Sequence, residues 1–258
     1  MQGETTGLEG ADSSYIGGDD FVRLSQDDIN ISFHIKNPNH DILALFRTVK
    51  RAQSIIQKMF GYNPGGIDIH IYNSKEEMRQ EGRSRSRYAS WIAGIYDGEI
   101  RVISELENGD TESLCVVLTH EITHLALDLM CHGNCPDWLN EGLAVCISQQ
   151  MSDQYRSMLQ NAIKNDKTIP IEVLSMRLFS HPDENIRQLA YAEAASIIEY
   201  LIETQGWESI AKMVSLCRNM KIENVFYSLG LSNTIIEMGW ELWLKGKQLN
   251  GKENKQFV

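Results

Sequence analysis

The residues of this chain best suited to chemistry are two histidines four positions apart with a glutamate beside the first: His120-Glu121-Ile122-Thr123-His124. On a helix, positions four apart share a face and lie about 6 Å apart along the axis. Two imidazoles so placed can ligate one zinc ion. Glu121 then projects beside the metal rather than onto it, where its carboxylate is free to take a proton from a zinc-bound water. The competing reading is a pair of core histidines flanked by Leu118, Ile122 and Leu125, which would bury ring nitrogens without partners. A five-residue pattern recurs by chance, so the case turns on a second element.

That element is Trp138-Leu139-Asn140-Glu141-Gly142-Leu143-Ala144. A catalytic zinc site takes three protein ligands and keeps one position open. The first helix is expected over 111–130, and the turn Cys131-His132-Gly133-Asn134-Cys135 leads to Pro136, which suits the first turn of a second helix. His124 lies about 9 Å from the turn and Glu141 about 7 Å back from it, at 1.5 Å per residue. If the two helices form an antiparallel hairpin, His124 and Glu141 stand at one height, and Glu141 becomes the third ligand.

His120-Glu-Ile-Thr-His124 with Trp138-Leu-Asn-Glu-Gly-Leu-Ala144 resembles the gluzincin metallopeptidases, in particular the zinc aminopeptidases and the smaller peptidase MA-like domains. Tyr191-Ala-Glu-Ala-Ala-Ser-Ile-Ile-Glu-Tyr-Leu201 with Gly206 resembles the helix that follows the site in those domains. Leu229-Gly-Leu-Ser232 and Trp240-Glu-Leu-Trp243 are similar to their closing segment. The resemblance implies an α+β, zincin-like fold of the thermolysin-like catalytic kind, with a small mixed sheet in an N-terminal lobe and a helical C-terminal lobe. It also implies Zn2+ as cofactor, Glu121 as general base, a peptide or protein as substrate, and Tyr191 as donor to the oxyanion. His181, in Ser180-His181-Pro182, is a rival for that last role. The zinc aminopeptidases carry a Gly-Ala-Met-Glu-Asn segment that holds the substrate's free amine. Here the corresponding region reads Ala93-Gly-Ile-Tyr-Asp-Gly98, which favours internal cleavage over aminopeptidase action. In the gluzincin arrangement a sheet-edge strand binds extended peptide, and Glu99–Ser104 is a candidate for it, beside the plainer reading of an ordinary hairpin strand. The alternative function is a zinc-bearing, peptidase-like interaction module with little or no proteolysis. The retained Glu121 speaks against it, because a structural zinc site has no use for a base and is closed by four ligands.

Composition sets the limits. A chain of 258 residues, 42% apolar, can bury a substantial core. Its net charge of −11 argues against nucleic acid as a main partner. Arg79, Arg83, Arg85 and Arg87 form a basic cluster that reads as a solvated loop. No apolar run approaches the eighteen or so residues of a membrane span, and the polar first twenty residues lack the form of a signal peptide; the compartment stays open. Of five cysteines, Cys115, Cys146 and Cys217 fall on apolar helical faces, whereas Cys131 and Cys135 share one turn with His132. Asp128 and Asn140 are candidates for holding the ligand side chains, with neither assigned.

The organisation expected is a disordered 1–20, an α/β lobe over 21–127 ending in the metal helix, and a helical lobe over 128–250. Alternation predicts strands over 29–35 and 67–72, and a hairpin of 91–96 with 99–104 about Asp97-Gly98. Helical spacing predicts helices over 41–60, 74–80, 111–130, 137–150, 152–165, 184–205, 207–219 and 233–246.

Overall fold

In a computed structural model, which describes residues 12–15, 21–34, 41–81, 93–104 and 111–250, the period-two segments pair into one mixed sheet. Its strands are β1 (Asp12–Tyr15), β2 (Phe21–Gln26), β3 (Ile29–His34), β4 (Ile67–Tyr72), β5 (Gly94–Tyr96) and β6 (Ile100–Ile103), in the order β1-β2-β3-β4-β6-β5. The pairs β3–β4 and β4–β6 are parallel and the others antiparallel. The helices are α1 (Ile42–Phe60), α2 (Lys75–Glu81), α3 (Thr111–Cys131), α4 (Asp137–Ser148), α5 (Asp153–Lys164), α6 (Met176–Phe179), α7 (Glu184–Cys217), α8 (Ile222–Ser228) and α9 (Asn233–Asn250). The expected α+β class, a small mixed sheet followed by helices, is what forms.

The chain divides into two compact units, one of Met1–Leu129 with Ile147–Gln149, the other of Met130–Cys146 with Gln150–Val258. The first holds the sheet. α1 starts at Asp41, whose side chain accepts from the Ala44 N–H at 3.0 Å, and ends where the Gly61 N–H donates to the Gln57 carbonyl at 2.9 Å. Its Leu45, Phe46, Val49, Ala52 and Ile56 pack with Ile29, Ile31, Ile67, Ile69, Ile71, Ile100 and Val102 of the strands. Leu114, Leu118, Ile122, Leu125 and Ala126 of α3 complete this core. On the other sheet face, Met78 of α2 covers Tyr72 and Ile103. With mean hydropathy 1.4, α3 is long and apolar enough by length and composition to cross a membrane, which narrows the earlier expectation to uninterrupted runs. Of its apolar side chains, Leu114, Leu118, Ile122, Leu125 and Ala126 belong to this core, and Leu129 is exposed.

The second unit is arranged about α7. Asp183 caps that helix by accepting from the Asn185 and Ile186 N–H groups at 2.9 and 3.4 Å. Gly206, at φ 78° and ψ 163°, interrupts it. The two stretches on either side match the pair of helices expected, because no L-residue with a side chain holds that backbone cheaply. Glu193 of α7 is wholly buried and accepts from the Ile169 N–H at 2.8 Å, and burial pushes its carboxyl up to about 8. Trp240 of α9 donates to the Ser196 hydroxyl at 3.0 Å.

Three expectations change. Asp12–Tyr15, inside a segment read as disordered, is a strand paired with β2; ladder hydrogen bonds let a polar strand form where side chains give no signal. The rest of 1–20 lies outside the described residues, as do Arg83, Arg85 and Arg87. Glu99–Ser104 is not an edge: β6 lies between β4 and β5, and β5 closes that side of the sheet. The short helices α6 and α8 went unread because each buries only one or two large side chains, Phe179 in α6 and Val225 with Phe226 in α8.

Candidate metal centre

α3 is the element that carries the histidine pair. Leu118, Ile122 and Leu125 turn into the core, leaving His120 and His124 on another face, partly exposed, with ring centroids 4.6 Å apart. Its buried threonine hydroxyls are satisfied within the helix: Thr123 donates to the Thr119 carbonyl at 2.8 Å, and Thr119 to the Cys115 carbonyl at 2.9 Å.

Glu121 points another way again and is 6% exposed. What it packs against is bare backbone of β5. A Cβ placed on Gly94 would lie 2.9 Å from Glu121 Oε1, 3.0 Å from its Cγ and 2.6 Å from Val117 Cγ1. β5 is tied to the same helix two residues on, where the Tyr96 hydroxyl donates to Asp128 Oδ2 at 2.9 Å. Burial first, then that bond, raises the Tyr96 phenol above its ordinary range, so it remains a donor. Asp128 is thereby committed to Tyr96.

The strand itself has an open side. The Ile103 N–H donates to the Ala93 carbonyl at 3.0 Å and the Asp97 N–H to the Glu99 carbonyl at 3.2 Å. With Ile95 opposite Arg101, residues 93, 95 and 97 therefore face β6, and Gly94 and Tyr96 turn their N–H and C=O groups outward. Among the described residues no strand covers that side.

Glu141 comes from α4, whose place is set by close packing on α7. A Cβ on Gly142 would meet the Ala194 carbonyl oxygen at 2.6 Å and Ile198 Cγ1 at 2.7 Å. One turn on, the Cys146 thiol donates to the Ala195 carbonyl at 3.4 Å. The small residues of Ala192-Glu-Ala-Ala195 thus let the two backbones approach. Trp138 packs on Phe226, with ring centroids 6.1 Å apart, and the Met176 N–H donates to Asp137 Oδ2 at 2.6 Å. Glu141 is 5% exposed.

One ligand atom from each of His120, His124 and Glu141 lies within 4.8 Å of the other two, and among the described residues they are the one such group. A tetrahedral ion with bonds of about 2.0–2.1 Å sets its ligands about 3.3 Å apart, so small side-chain rotations close the group. Two imidazoles and a carboxylate fit zinc in kind and in number, with a fourth position left over.

The other candidates have contacts of their own. Tyr191 lies on α7 with its ring tilted against Phe179 at 5.1 Å between centroids. His181 serves the start of that helix: its Nδ1 accepts from the Asp183 N–H at 3.1 Å, and its carbonyl from Arg187 Nη1 at 2.8 Å. Tyr155 of α5 was not read from the sequence. Burial raises its phenol, the charges of Glu184 and Glu141 add to that, and Arg187 opposes. A tyrosine on a helix of modest apolarity offers no sequence signal for this neighbourhood.

A family model described as Peptidase MA superfamily matches residues 52–246, from within α1 to near the end of α9. No curated protein matches the chain. The match agrees with the resemblance read from the two motifs and with a zincin-like α+β fold.

Proposed function

For a chain that belongs to the Peptidase MA superfamily, we propose zinc-dependent hydrolysis of peptide bonds with internal rather than N-terminal cleavage. The observation that carries this reading is the convergence of His120, His124 and Glu141, with Glu121 on the same helix as the two histidines. These three residues would hold the metal. A zinc ion there would supply Lewis acidity, polarising the scissile carbonyl and making water acidic near neutral pH. Glu121 accepts the proton of the attacking water and returns it to the nitrogen of the departing amine. Tyr191 is proposed as the further hydrogen-bond donor to the oxyanion.

The substrate backbone would pair with the open side of β5, through the outward N–H and C=O groups of Gly94 and Tyr96. Gly94 is the residue against which Glu121 packs, so a peptide on that strand runs beside the base. Internal cleavage is favoured because the acidic residue of this segment, Asp97, is bound to the nearly buried Arg101 guanidinium. Its carboxylate is therefore not offered to a substrate amine.

The test is a mixed library of N-terminally blocked peptides, incubated with protein and with chelator-treated protein, and read by product mass. Cleavage that chelation abolishes and added zinc restores is expected. A protein that holds zinc and cuts nothing would favour the interaction-module reading.

A further inference from the structure

The turn that joins α3 to α4 brings three thiols together. His132 and Gly133 both take positive φ, 52° and 75°, and the Asn134 N–H donates to the Cys131 carbonyl at 3.1 Å. The chain reverses there, and Cys135 returns onto Cys131, its thiol donating to the Cys131 sulfur. The turn is also sewn to the last helical turn of α7. The Cys131 thiol donates to the Val214 carbonyl at 3.4 Å, and Asn134 Nδ2 to the Arg218 carbonyl at 3.3 Å. Cys217 lies three residues after Val214 and one before Arg218, on the stretch of α7 that this turn contacts. In the sequence Cys131 and Cys135 share one turn and Cys217 falls on an apolar helical face; the fold brings that stretch of α7 to the turn.

We propose that Cys131 and Cys135 form a reversible disulfide across the α3–α4 turn, closed by a small-molecule disulfide and reopened by the corresponding thiol. The oxidant is a small-molecule disulfide of the glutathione kind. Cys135, which is partly exposed, attacks it as thiolate and expels one thiolate, giving a mixed disulfide. Cys131, fully buried, then loses its proton and attacks the Cys135 sulfur, expelling the second. Two S–H bonds are lost, one S–S bond forms, and the oxidant is reduced to two thiols. Exchange runs through thiolates, and burial pushes the Cys217 thiol up to about 12. Cys135 is raised too, by its bond to Cys131 first and burial second. Closure is therefore slow at neutral pH and speeds up as pH rises.

The full-length chain, reduced and freed of metal, is equilibrated with oxidised and reduced glutathione at a series of ratios, then alkylated and mass-mapped. The expected product carries two fewer alkyl groups than the fully reduced protein, the unalkylated pair being Cys131 and Cys135 joined with the loss of two hydrogens. Cys217→Ser should keep that bond and Cys135→Ser abolish it, with circular dichroism showing each variant folded. Five alkylated cysteines at every ratio would overturn the proposal, as would a disulfide that includes Cys217 and persists in Cys135→Ser. Neither readout depends on peptidase activity.

Discussion

Adding one methyl group at Gly94 tests whether the edge strand positions Glu121. A carbon there would sit 2.6 Å from Val117 Cγ1 and 2.9 Å from Glu121 Oε1. Carbon atoms rest at about 3.5–4.0 Å, so Val117 must retreat by about 1 Å and the Glu121 carboxylate by about half that. Overpacking of this kind costs about 1–3 kcal/mol. In a chain of this length each kcal/mol lowers the melting temperature by about 2–4 °C, so Gly94→Ala should melt about 2–12 °C below wild type. A displacement of about 1 Å at a reacting group costs about 10²-fold in rate, so about half that should cost about tenfold. Cleavage should therefore fall by about tenfold while the metal, held by other residues, stays bound. The double variant Gly94→Ala/Val117→Ala separates the two contacts. Removing Cγ1 relieves the nearest clash, so much of the lost stability should return, and the two substitutions should be strongly non-additive. The Glu121 contact remains, so cleavage should stay depressed. Melting curves, elemental analysis and the best substrate from the peptide library provide the measurements. A Gly94→Ala protein that melts and cleaves as wild type would refute the reasoning, and so would additive losses in the double variant.

Glu121→Gln keeps size and polarity but cannot accept a proton; zinc content and melting temperature should stay near wild type while cleavage falls about 10²-fold or more. Equal cleavage would remove Glu121 as base. Purified protein should hold one zinc per chain by elemental analysis, and His120→Ala, His124→Ala and Glu141→Ala should each lose most of it; undiminished zinc in Glu141→Ala would strike Glu141 from the ligand set. Glu193, raised from 4.5 to about 8 by burial, binds its proton more tightly in the folded chain than in the unfolded one. Its contribution to stability is thus fully present below pH 4.5 and is lost as pH rises to about 8, on the order of a few kcal/mol. Urea midpoints across that window should converge between wild type and Glu193→Gln at the acid end and favour Glu193→Gln at the alkaline end, and a constant difference would refute this.

What could be read from the residues was local. Asp41 and Gly61 announce the ends of α1 because a cap involves groups within a turn of each other. The Asp97-Gly98 turn announces its hairpin for the same reason. The histidine pair is legible because four residues on a helix make one face. Glu141 is legible at longer range only because two helices joined by a short turn obey a fixed rise. What stayed hidden depends on which surfaces meet. The contacts of Gly94 with α3 and of Gly142 with Ala194 are of this kind, since no spacing of residues encodes them. The strand order was the consequential miss. A hairpin signal shows that 94–96 and 100–103 pair, but not which of them also pairs with β4. That choice is made by the parallel register of Ile69 with Ile100 and Ile71 with Val102, which sinks β6 into the core and leaves β5 outside. A strand paired on both edges cannot receive a peptide. The one with an open side can, and it is the one whose glycine lies against Glu121.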